Sequence, residues 1–309
     1  MKKIGIGVIV LALCGIILSG FYSVPVQKYY SIHNSLLNTI NAFSNPIVWE
    51  KWYKGYISID VQKKSDPLSI KTKNGALEIK NNGGFSFSIT EKQGNQSRSY
   101  TCTFPPSAQN DSCGMIVGYK ESLLKNVFSF FSSNTDFENQ IGSFKTYMED
   151  NLQYYGYVIK IEKVEDSIVL FIQGKVPIKD CLTKLNFFYS QLDSCVQFNH
   201  LKITQPPIVH FAVPANDSIV IMTGTSVSNN NITDNGLIKK ANMPVGGKML
   251  TGIYHGDFHE RTLLYKAMYS YMQDHNLRQA APEFEKYMDN KLPTSDSSEI
   301  NIKLYIPVY

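Results

Sequence analysis

The chain has 309 residues, with 30 Lys+Arg against 26 Asp+Glu, a net charge of +4 and 43% hydrophobic residues. At roughly 150 residues per domain this is about two domains. The balance excludes wholesale disorder and a fibrous repeat; the lack of a long Lys/Arg run argues against a nucleic-acid partner, and five cysteines are too few for a disulfide-built scaffold.

Lys2 and Lys3 precede Ile4 to Val24, a stretch without a charge. As a helix it spans about 31 Å, close to the roughly 30 Å hydrocarbon core of a bilayer. It reads as a transmembrane anchor over residues 4–24, with the lysines cytoplasmic and the bulk of the chain extracytoplasmic, periplasmic in a bacterium. A cleaved signal peptide and a buried core helix are the alternatives; Leu18 and Gly20 match the small-residue cleavage pattern poorly. Export would permit disulfides. Cys102 and Cys113 flank a loop rich in Pro, Asn and Asp between two strand-like runs, so they are expected to pair across a hairpin. Cys181 and Cys195 are fourteen residues apart in a helical pattern. That is about 21 Å along one helix, beyond the ~7 Å reach of a disulfide, and both read as free thiols.

Val24 to Ile32 reads as a strand and Ser35 to Phe43 as a short helix, followed by Asn45-Pro46 and the Trp49-Glu50-Lys51-Trp52 segment. Strands are expected over Tyr56–Val61, Leu68–Thr72, Ala76–Lys80, Phe85–Thr90, Arg98–Phe104 and Met115–Tyr119, separated by turn residues at hairpin spacing. Thr135-Asp136-Phe137-Glu138 has the form of a capping box. The helix it opens carries Phe137, Ile141, Phe144, Met148 and Leu152 on one face.

Strands at Val158–Ile161 and Ile168–Ile172 follow, and Pro177 opens a helix with the stripe Ile178, Leu182, Leu185, Tyr189, Leu192 and Val196. After strands at Ile208–Val213 and Ile219–Thr223 and a polar loop from Ser226 to Asn235, the pattern repeats. A strand at Lys248–Tyr254, a turn at Gly256, a helix from His259 to His275 and strands at Phe284–Met288 and Ile300–Val308 complete it. Two successive strand–helix–strand–strand units point to an internal duplication and an α+β domain.

No zinc spacing emerges: His255 and His259 are four apart, but Gly256 stands where a zinc protease carries Glu and breaks the helix. No nucleophile elbow or phosphate loop is present; Gly246-Gly247-Lys248 reads as a flexible lead into a strand. No cofactor and no metal are expected.

The Tyr254-His255-Gly256-Asp257-Phe258 turn, the Glu285-Lys286-Tyr287 strand and the terminal Ile306-Pro307-Val308 strand, in this order, resemble the GyrI-like superfamily, which includes the effector-binding domains of AraC-type regulators. The resemblance implies a pseudo-twofold pair of βαββ modules over residues 155–309, with Glu285 at the floor of a central cleft. Tyr287 then shares its sheet face, and Tyr254, Phe258 and Tyr265 are candidate wall residues. A carboxylate among aromatic rings suits a cationic or polar aromatic ligand. More weakly, the first strand, the first helix, Trp49 and Trp52, and the helix near Phe137–Leu152 resemble the polyketide cyclase/START-like (SRPBCC) superfamily. This implies a helix-grip domain over residues 25–154, behind a membrane segment over 1–24.

The expectation is thus an N-terminal transmembrane helix, a START-like domain and a GyrI-like domain of two tandem βαββ modules, binding a small amphipathic or aromatic molecule. The alternatives are a Glu-dependent hydrolase, with Glu285 as general acid/base, and a non-catalytic envelope protein that binds another protein. Whether the chain forms a homodimer is left open. No DNA-binding helix-turn-helix is recognisable, so the regulators' output is not carried over.

Overall fold

The structure, a computed structural model, describes residues 22–59, 68–107, 112–122, 136–164, 168–228, 236–243 and 246–309. They form two antiparallel sheets with helices and divide into two compact units between Tyr154 and Tyr155.

The first unit begins with β1 (Ser23–Ile32), α1 (Leu36–Ser44) and α2 (Pro46–Trp52). Six strands follow: β2 (Tyr56–Ile59), β3 (Leu68–Thr72), β4 (Gly75–Gly83), β5 (Ser86–Gln93), β6 (Gln96–Thr103) and β7 (Cys113–Ser122). The unit closes with α3 (Asp136–Glu149) and α4 (Asn151–Tyr155). The strands run as a meander whose last member folds back onto the first, in the order β1-β7-β6-β5-β4-β3-β2. Local chemistry sets the helix starts. The Ser35 side chain accepts from Asn38 N at the head of α1, and Asn45 caps α2 with Pro46 in its first turn. Phe137, Ile141, Phe144 and Met148 of α3 lie buried with Phe43, Trp49 and Trp52 in one core. Trp49 is fully buried and donates its indole N–H to Phe43 O at 2.7 Å, which fixes α2 against α1.

Three expectations for this unit are corrected. Strand β1 already includes Ser23 and Val24, and among the described residues no helix is long and apolar enough to cross a membrane. Over the described residues the fold class is therefore a β-rich α+β pair of sheets without a transmembrane helix; the rest of the 4–24 stretch lies outside the described residues. Leu152 is exposed and not on the α3 face, because the helix breaks at Asp150, whose carboxylate accepts from Leu152 N at 2.9 Å and starts α4. The disulfide does not form: Cys102 and Cys113 are both free and buried. Cys102 pairs with Val117, while Cys113, four residues back along β7, pairs with Ile32 and Pro106. Four strand residues separate the two positions by about 13 Å. Thr135 of the expected capping box lies outside the described residues.

The second unit starts with β8 (Ile159–Lys163). One module follows as β9 (Ile168–Pro177), α5 (Cys181–Phe198), β10 (Ile203–Phe211) and β11 (Ser218–Val227). After β12 (Lys239–Asn242), the second module comprises β13 (Lys248–Asp257), α6 (Thr262–Asp274), β14 (Phe284–Tyr287) and β15 (Glu299–Val308). A short 3₁₀ turn precedes each helix, Ile178–Asp180 before α5 and Phe258–Arg261 before α6. The eight-stranded order is β12-β9-β11-β10-β14-β15-β13-β8. It is palindromic: β9-β11-β10 of one module meets β14-β15-β13 of the other at the β10–β14 seam, where Val209 is in register with Glu285.

The elements differ from expectation at their ends. Pro177 is the last residue of β9 and not a helical one, because the 3₁₀ turn intervenes. Ser226 and Val227 extend β11, while residues 229–235 of the expected loop lie outside the described residues. Gly256 makes no turn; it continues β13 at φ 149°, and a Cβ there would come within 2.7 Å of the Tyr254 hydroxyl. The short edge strand β12 has no hydrophobic alternation, so the sequence pattern passed over it.

Candidate ligand-binding site

Glu285 sits on β14, and strand alternation turns its side chain and that of Tyr287 toward the face covered by the helices. Its carboxylate is fully buried, a placement tolerated only with full partnering. The partners are present. Arg261 Nε, at the end of the 3₁₀ turn before α6, donates to Oε1 at 2.8 Å; Tyr265 OH, one helical turn on, donates to Oε1 at 2.7 Å; Tyr287 OH donates to Oε2 at 2.6 Å.

The Arg261 guanidinium also lies over two rings, 3.5 Å from the Phe258 centroid and 4.9 Å from that of Phe211. Its Nη1 donates to Phe258 O at 2.8 Å. The result is a cation held between a carboxylate and two aromatic faces. Burial, and then the charge and hydrogen bonding of Glu285, push the Tyr265 and Tyr287 phenols well above the usual tyrosine range. Both therefore stay neutral donors. Cys181 lies near enough for the Arg261 charge to act on it: burial raises its thiol and Arg261 partly offsets that.

Of the five residues singled out from sequence, the structure joins Glu285, Tyr287 and Tyr265 by hydrogen bonds and sets Phe258 under Arg261. Tyr254 is buried but its hydroxyl donates to Asp257 O at 2.7 Å, bracing the end of β13 instead of facing Glu285. Sequence reasoning missed Arg261 and Phe211. A signal for Arg261 was there: the chain has only three arginines, Arg98, Arg261 and Arg278. In this Lys-rich chain an arginine marks a position where a planar fork matters.

A second buried carboxylate group occupies the first unit. Tyr100 OH donates to Glu91 Oε2 at 3.1 Å and to Glu138 Oε1 at 3.5 Å, and Arg98 Nη1 lies 3.3 Å from Glu138 Oε1. Burial, then the Glu138 and Glu121 charges, push the Tyr119 phenol up to about 12. His255 meets Glu299 at 3.5 Å on the surface. Among the described residues no group of three or more His, Cys, Asp or Glu is placed to hold a metal ion.

Residues 158–309 match the family described as the GyrI-like small molecule binding domain. No curated protein matches the chain. Among solved structures it is similar to EcmrR in a complex with DNA, at 16% identity over 60% of this chain and 75% of that one, with a TM-score of 0.42. A hydrolase from Listeria innocua is 13% identical over 49% of this chain and 91% of that one, with a TM-score of 0.37. A START superfamily protein from Mycobacterium smegmatis is 10% identical over 40% of this chain and 97% of that one, with a TM-score of 0.33.

Proposed function

With residues 158–309 a GyrI-like small-molecule-binding domain, we propose that the chain binds an amphipathic, cationic ligand at the Glu285 cleft, where the ligand takes the place of the Arg261 guanidinium. One observation supports this reading: a cation, the Arg261 guanidinium, is already held by the Glu285 carboxylate and the faces of Phe211 and Phe258. Those groups recognise diffuse positive charge whether it belongs to the chain or to a ligand. Arg261 retains some solvent access while Glu285 has none, so the guanidinium is the member able to leave outward. The hydrolase alternative gains nothing from this geometry, because both oxygens of Glu285 are held by donors.

The test is calorimetric titration of the full chain with tetraphenylphosphonium, a cation that is apolar over its whole surface. Saturable binding that weakens at least about tenfold in Glu285→Gln, a loss of roughly 1.4 kcal/mol, is the expected result. Equal affinity in wild type and variant, or no binding up to millimolar probe, sinks the reading.

A further inference from the structure

The opposite face of the same sheet carries a cavity of about 390 Å³, within the roughly 300–1,000 Å³ range of small-molecule pockets. Strand alternation puts Phe284 and Lys286 of β14, and Lys303 and Tyr305 of β15, on this face, away from the helices and from Glu285. Its floor is aromatic: the Phe284 and Tyr305 rings stack 5.0 Å apart at 5° to one another.

The charges on that floor are unusual. Lys286 and Lys303 are in direct cross-strand register, an arrangement in which like charges destabilise a sheet. Both ammonium groups also sit over the same ring, 4.6 Å and 5.2 Å from the Tyr305 centroid. Each is steadied from the side, Lys286 by Gln205 and Lys303 by Glu162 at 2.7 Å. Burial alone would lower Lys303, but Glu162 and Tyr305 outweigh it and hold the ammonium above the usual lysine range. Lys163 also borders the cavity, beside the one carboxylate of Glu162. The register of β10 shifts on both sides of Gln205, at the Pro206-Pro207 bend, and this irregularity borders the cavity. Bulges of this kind gather beside binding sites, where they re-aim a side chain. Met243, Met249 and Met288 form adaptable walls.

We propose that this cavity is a second binding site, selective for a planar aromatic anion. The ring lies on the Phe284–Tyr305 stack, and the carboxylate or sulfonate bridges Lys286 and Lys303, relieving their repulsion. The site is independent of Arg261 and Glu285, so the two faces of one sheet would read ligands of opposite charge.

The probe is 2-naphthoate, titrated into the full chain, with 2-naphthylmethylammonium as the cationic control. Saturable one-to-one binding of naphthoate is expected, weakened at least about tenfold by Lys286→Met and by Lys303→Met. It should be unchanged by Glu285→Gln and not competed by the ammonium analogue. This last variant separates the two proposals, since failure of the Glu285 reading leaves the naphthoate result untouched. Should a lysine variant fail to fold, wild-type protein supplies the decision: saturating naphthoate must protect Lys286 and Lys303 from amine acylation, read by peptide mapping. No binding, equal affinity in the lysine variants, equal binding of the cationic analogue, or no protection each overturns the proposal.

Discussion

The two modules of the second unit share one scaffold and differ in chemistry at every position that matches the Glu285 group. Counting outward from the β10–β14 seam, Glu285 corresponds to Val209 and Tyr287 to Phe211; counting from the ends of β9 and β13, Arg261 corresponds to Cys181 and Tyr265 to Leu185. One module thus offers carboxylate, guanidinium and two phenols, and the other offers aliphatic, aromatic and thiol groups. Val209 and Leu185 are fully buried in the core that also holds Tyr287. The backbone of a duplicated fold therefore accepts either a polar network or plain packing at the same site. A buried charge is stable there only when its whole partner set arrives with it. The apolar module shows the complementary cost: Thr223 and Thr225, in the core strand β11, keep buried hydroxyls without a hydrogen-bond partner.

The largest expected effect comes from breaking the polar set. Arg261→Ala leaves the fully buried Glu285 carboxylate without its counter-ion and should cost about 3–5 kcal/mol, measured by urea unfolding. Converting the second module to the character of the first, with Arg261→Met and Glu285→Val together, should restore most of that stability while abolishing tetraphenylphosphonium binding. If the double variant is as unstable as the single one, the equivalence of the two modules fails.

Tyr287→Phe removes the donor to Glu285 Oε2 and should cost about 1.5–3 kcal/mol, as hydrogen bonds to charged groups do. The same residue sets an alkaline signature. Tyr265 and Tyr287 have folded pKa values above their ordinary value of 10.0, so the stability they contribute is complete below about pH 10 and is lost as pH rises through the folded values. Unfolding free energy measured from pH 9 to 11.5 should fall less steeply in Tyr287→Phe than in wild type; parallel curves would count against the network.

Gly252→Ala probes the packing of α6 on β13 in the second module. A Cβ there would approach Leu264 Cδ1 and Met268 Sδ, both at 2.7 Å, so a loss of about 1–3 kcal/mol from overpacking is expected in thermal melts. The smallest change is a gain. Thr223→Val replaces an orphaned hydroxyl of similar shape and should stabilise by about 1 kcal/mol. A loss instead would reveal a hidden partner for that hydroxyl.

Much of the framework was legible in the residues. Strand β3 runs over Leu68–Thr72 as the alternation and flanking turns indicated, and the Leu185, Leu192 and Val196 stripe of α5 is buried. Such signals are local: a side-chain period of two or 3.6 residues reports which face meets a core. The strand–helix–strand–strand repeat was visible for the same reason, since each module carries its own periodicity, while the GyrI-like match was anticipated from the Tyr254–Phe258, Glu285–Tyr287 and Ile306–Val308 motifs. Glu285 and Tyr287 stood out through the resemblance to the GyrI-like Glu-x-Tyr strand, and alternation then put both on one face of that strand.

Tertiary structure alone decided what they meet. Arg261 is 24 residues from Glu285 in sequence, and Phe211 reaches the guanidinium from the other module, so no spacing rule couples them. The same limit misjudged Cys102 and Cys113: flanking a loop suggested a hairpin pair, but strand register set them apart. It also hid the lysine pair on the far face, since Lys286 and Lys303 become neighbours only when β14 and β15 pair. Periodicity fixes which way a side chain faces. Which charge it faces depends on register between strands distant in sequence, which is settled when the sheet closes.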